Sequence, residues 1–97
     1  MSADSDSIDR AVMRMTPHGT FLHGGRQLSV AFLLRKPDWR SLEASWWCGK
    51  EVCIIGADLD GNFYLRHCDG SVRLWSHARQ ADEVIAPSVD VFAKGIA

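Results

Sequence analysis

Asn62-Phe-Tyr-Leu-Arg-His-Cys-Asp-Gly-Ser-Val-Arg-Leu-Trp-Ser-His77 is the stretch on which the fold turns. Its runs Asn62–Cys68 and Ser71–His77 flank Asp69-Gly70. Asp-Gly favours a type I′ turn, because both positions tolerate positive φ, so the stretch predicts a β-hairpin with a two-residue loop. That loop would set Cys68 against Ser71, Arg66 against Arg73, Leu65 against Leu74 and Tyr64 against Trp75. Phe63, Leu65, Val72 and Leu74 would share one face, and Tyr64, Arg66, Arg73 and Trp75 the other. The sorting of apolar residues favours this register, since a slip of one residue would scatter them.

Working outward, Val52-Cys-Ile-Ile55 is short, apolar and rich in β-branched residues, and reads as a strand buried on both faces. Asp58–Gly61 joins it to the hairpin, giving a three-stranded antiparallel meander. Downstream, Ser88 caps a short helix that ends at Gly95, with Asp90 in its first turn and Lys94 in its last. Val89, Phe92, Ala93 and Ile96 form its apolar stripe.

Upstream, Ile8, Val12 and Met15 fall at helical spacing beside Ala11, with Ser7 as the cap and Pro17 as the stop. Thr16–Gly25 reads as mostly turn and loop. In Gln27–Leu34 the alternation of Leu28, Val30, Phe32 and Leu34 leans to a strand, while Leu28, Ala31 and Phe32 also fit a helical face. Asp38 suits the cap of a helix carrying Trp39, Leu42 and Trp46 and closed by Gly49. Trp39 and Trp46 are expected in the core, and Trp47 only partly. The expected architecture is therefore α+β: a disordered lead-in over residues 1–7, then a single domain over 8–97. In it, an antiparallel meander of three to four strands is flanked by short helices.

Ninety-seven residues, 46% of them hydrophobic and 24% charged, suit one ordinary globular core. A formal charge of -1 argues against a general nucleic-acid binder, which needs a basic excess. Cys48, Cys53 and Cys68 are odd in number, and Met1–Ser7 carries no basic-then-apolar leader, so free thiols and a cytoplasmic location are expected. No apolar run approaches the roughly 20 residues of a membrane helix.

His67, Cys68, His77, Cys48 and Cys53 do not read as a metal set. Paired Cys-x-x-Cys spacing is missing, and adjacent strand residues such as His67 and Cys68 point to opposite faces. Asp58 and Asp60 beside Gly61 are explained by turn chemistry. No cysteine sits in a nucleophile motif, so neither catalysis nor a cofactor is expected. The candidate partner-binding residues are Tyr64, Arg66, Arg73 and Trp75, with His77 at the end of the strand. Arginine with Trp and Tyr is the composition of interface hot spots, and also of single-strand nucleic-acid platforms. The competing reading buries the aromatics under the N-terminal half and neutralises the arginines with nearby acids.

Val52 to Ile96 resembles the C-terminal half of the SMI1/KNR4 (SUKH) superfamily. The carrying pieces are Ile54-Ile-Gly-Ala-Asp58, Asp60-Gly-Asn-Phe-Tyr-Leu65, Asp69-Gly-Ser-Val-Arg-Leu-Trp-Ser-His77 and Ile85-Ala-Pro-Ser-Val-Asp-Val-Phe92. The resemblance implies a helix-flanked sheet without catalysis. It also implies a bacterial immunity protein that binds and neutralises a cognate toxin. No binding residue transfers one by one, because the contact surface differs between members. The alternatives are a small self-associating structural or regulatory protein and a single-strand nucleic-acid binder.

Overall fold

The computed structural model describes residues 3–15, 18–41 and 52–96. The elements are α1 (Ala3–Arg14), β1 (Gly19–His23), β2 (Arg26–Val30), β3 (Phe32–Leu33), a 3-10 turn (Lys36–Asp38), β4 (Arg40–Ser41), β5 (Val52–Ala57), β6 (Phe63–His67), β7 (Val72–Ser76), β8 (Ala81–Ala86) and α2 (Val89–Lys94). The chain is thus α+β, with β1 and β2 forming one antiparallel sheet and the remaining strands a second.

In the larger sheet, β5 to β8 follow one another as an antiparallel meander. β3 and β4 lie along the outer edge of β5, with Phe32 opposite Ala57 and Arg40 opposite Ile54. They are two pieces of one edge strand, parted by the turn around Pro37, which has no N–H to give to a ladder. Register shifts at Ile55 in β5 and Ile85 in β8 are β-bulges. Each turns an extra apolar residue inward, so that Ile55 with Gly56, and Ile85 with Ala86, are all buried.

One face of this sheet carries Tyr64, Val72, Leu74 and Ile55 against Ile8 and Ala11 of α1, Phe21 and Val30 of the small sheet, and Val89 and Phe92 of α2. The Phe92 ring touches both Phe21 and Tyr64, each at 5.0 Å between centroids. Arg14 at the end of α1 donates to the carbonyls of Ala93 (2.6 Å) and Ile96 (3.2 Å), supplying positive charge and donors at the C-terminus of α2. The opposite face gathers Val52, Leu65 and Trp75 with Ile54 and Phe63.

The terminal helices, the strand expected at Val52–Ile55, which runs on to Ala57, and the Ser88 cap agree with the sequence reading: Ser88 Oγ accepts from the Val91 amide at 3.2 Å. Several expectations are corrected. α1 starts at Ala3, so residues 3–7 are helical and Ser7 lies inside the helix, buried and bonded to Asp90. Within Thr16–Gly25, expected to be mostly turn and loop, Gly19–His23 is a strand. Gln27–Leu34 splits at Ala31 into strands of different sheets. The helix from Asp38 does not form through Trp39: a 3-10 turn is followed by strand at Arg40. Trp46, Trp47 and Cys48 lie outside the described residues.

The hairpin register is also corrected. His67 and Ser71 close a three-residue loop, with the His67 amide donating to Ser71 O and the Gly70 amide to His67 O, each at 2.9 Å. In that loop Gly70 takes a positive φ of 90° while Asp69 does not. The Asp69 carboxylate accepts from the Ser71 amide (2.9 Å) and hydroxyl (2.7 Å), a local turn that lets Asp69 keep negative φ and leaves the left-handed position to glycine. The turn with two positive φ values occurs instead at Gly24-Gly25, between β1 and β2.

Candidate functional site

The extra loop residue turns β7 over relative to β6. Tyr64 now opposes Leu74, Leu65 opposes Arg73, and Arg66 opposes Val72. The platform expected from Tyr64, Arg66, Arg73 and Trp75 is therefore not formed: Tyr64 and Arg66 belong to one face, Arg73 and Trp75 to the other. Tyr64 is fully buried and Trp75 is 9% exposed. The apolar sorting misled because this sheet has a hydrophobic cluster on each face.

On the Trp75 face a charged network spans three strands. Arg73 Nη2 lies 3.6 Å from Asp69 Oδ2, and Nη1 lies 3.5 Å from Asp82 Oδ2. The same Asp82 oxygen is 3.2 Å from Nε2 of buried His67. Burial, and then Arg73, hold His67 below the ordinary imidazole range, while Asp82 and Asp69 pull the other way. The Ser71 hydroxyl and amide hold the Asp69 carboxyl below its usual range. Acids do neutralise Arg73, as the competing reading required. His77 is exposed, its ring edge-on to Phe63 at 5.1 Å.

Arg66 has a different setting. Cross-strand pairing makes a row of Ser41 on β4, Cys53 on β5 and Arg66 on β6, on the helix-bearing face. The Arg66 guanidinium lies over the Trp39 ring, 5.8 Å from its centroid. The Trp39 indole N–H donates to Leu34 O at 2.8 Å, fixing the ring just after the 3-10 turn. A cleft of about 170 Å³ opens here, lined by Ser41, Val52, Cys53, Arg66 and Cys68. Cys53 and Cys68 are free thiols, Cys68 exposed.

Trp39 was expected in the core, and it is half-buried against it. Its second role beside Arg66 was not visible, because the contact depends on the interrupted β3–β4 edge. Asp82 could have been suspected as a partner of Arg73 only with β8 in place, and Ala81-Asp-Glu-Val has no clean alternation to mark it as a strand. Among the described residues, no helix is long and apolar enough to cross a membrane. No known family profile, curated protein or solved structure matches the chain.

Proposed function

We propose that this chain is a non-catalytic protein-binding module that docks on a partner protein and obstructs it, as the SMI1/KNR4 resemblance implies for an immunity protein against a cognate toxin. The observation that carries the reading is the Arg66–Trp39 pair beside an open cleft. Arginine and tryptophan are the residues over-represented at interface hot spots, where a fixed aromatic and a planar guanidinium lose little entropy on docking. The mechanism is steric, and nothing in it needs a nucleophile or a metal.

The test is affinity capture of the tagged protein from its native cells, with mass spectrometry of what stays bound. A stoichiometric partner that carries a toxin domain, and whose activity falls when the purified protein is added, supports the reading. Recovery of the protein alone overturns it. One observation favours self-association as the second reading: Val84 is 48% exposed on the edge strand β8, where an added strand could pair. Equilibrium sedimentation separates the two, because only self-association predicts a concentration-dependent homo-oligomer.

A further inference from the structure

Arg66 and Arg73 are both half-buried, and their surroundings differ. Arg73 has Asp69 and Asp82 within reach. Among the described residues, Arg66 has no carboxylate within ion-pair distance and its buried Nε has no hydrogen-bond partner. A half-buried guanidinium with no counter-ion among the described residues leaves its charge partly desolvated and uncompensated, which an anion bound at its cleft side would relieve. The group is also held in place before any ligand arrives, because Trp39 supports its face and Leu34 O anchors Trp39. The Ser41 hydroxyl, on the same cleft wall, offers a second donor.

We propose that this cleft seats a carboxylate, the side chain of an aspartate or glutamate on the protein that the module binds. The inference rests on the partner-binding reading and names the chemistry of its anchor. A single guanidinium matches a singly charged, planar carboxylate in a forked pair. A phosphate dianion asks for more positive charge than Arg66, the one arginine among the described residues lining the cleft, supplies.

The thiols of the cleft allow a direct test on the intact wild-type protein. Iodoacetate and iodoacetamide alkylate a thiolate by the same step: sulfur displaces iodide from the methylene carbon, an S–C bond forms, and the thiol proton goes to buffer. They differ in carrying a carboxylate or an amide. The ratio of the two rates at Cys68, read by peptide mass spectrometry, cancels any effect of Arg66 on thiol ionisation. The expected ratio for the folded protein is roughly two- to fivefold above that of the urea-unfolded chain, the range of a partly exposed charge pair. It should return to the unfolded value in Arg66→Gln, whose folding is checked by thermal melting. Acetate, a singly charged carboxylate, should protect Cys68 from iodoacetate better than inorganic phosphate at equal concentration. A folded ratio equal to the unfolded one overturns the proposal, and so does phosphate protecting as well as the carboxylate. The labelling needs no partner, so its failure removes the cleft assignment alone, whereas an empty capture experiment removes the partner reading.

Discussion

The Tyr64 hydroxyl donates a 2.6 Å hydrogen bond to the main-chain carbonyl of Ser29, and through it the small β1–β2 sheet is fastened to the large one. Ser29 is held a second time, because its own hydroxyl accepts from the Leu59 amide at 3.0 Å. The Tyr64 ring is fully buried against Phe92, and burial, helped by the charge of Asp58, pushes its ionisation well above the ordinary phenol range. A residue that looked like an exposed binding platform is thus a core strut.

Tyr64→Phe keeps the ring and removes the hydroxyl. Ser29 O then loses its donor in a partly buried setting, and the expected loss of unfolding free energy is about 1–2 kcal/mol. Urea denaturation measures it. An unchanged midpoint and slope would show that the bond contributes nothing net.

Gly56→Ala is expected to do more harm. A Cβ there would sit 2.5 Å from Phe32 O and 2.9 Å from Leu33 Cδ2. The first is backbone of the paired strand β3 and cannot turn aside, so the β3–β5 edge must shift. The expected cost is about 1–3 kcal/mol, with amide exchange at Leu34, which bonds to Ile55 O at 2.8 Å, accelerating more than exchange at Tyr64. Equal acceleration at both would count against a local displacement.

His67 should make stability fall in mild acid. Its folded pKa lies below the ordinary imidazole value of about 6.5, so the unfolded chain binds the proton more readily. The contribution is complete above about pH 6.5 and is lost as the pH drops through the unfolded value toward the folded one. Melting temperatures of wild type and His67→Gln, taken from pH 8 to pH 5 on the scale set by histidine titration, check this. The wild-type curve should bend down more steeply than the variant's, and parallel curves would clear His67 of the effect.

Ser88→Ala removes the oxygen that accepts from the Val91 amide and should cost about 1 kcal/mol. Ser88→Asp should recover most of that loss, since a carboxylate caps as well and favours the helix N-terminus. Thermal melts of the pair decide the matter: if Asp fails where Ser succeeds, capping is not the cause.

Where local rules suffice, the sequence could be read. The α2 helix has its cap, its charges and its stripe within nine residues, from Ser88 to Ile96, and forms as those rules require. The β-branched run Val52–Ile55 is a strand buried on both sides for the same reason. The hairpin was legible as a hairpin, but its register was not. Asp69-Gly70 is compatible with two loop lengths, and the choice went to the longer one once Asp69 bonded Ser71. The candidate site suffered most from that single residue. It separated Tyr64 and Arg66 from Arg73 and Trp75, and gave each arginine a different environment.

Composition, punctuation and periodicity therefore determined an α+β chain, its terminal helices and its central meander, because each depends on residues within a few positions of one another. Three things were left to the tertiary structure: which face each strand residue occupies, which acids reach Arg73, and what lies beside Arg66. Face is set by register, and in a sheet with apolar residues on both sides the hydrophobic pattern places no veto on a one-residue shift. Asp82 meets Arg73 across β7 and β8, and Trp39 meets Arg66 across the broken edge strand. Both contacts join residues far apart along the chain or in separate elements, and only packing brings them together.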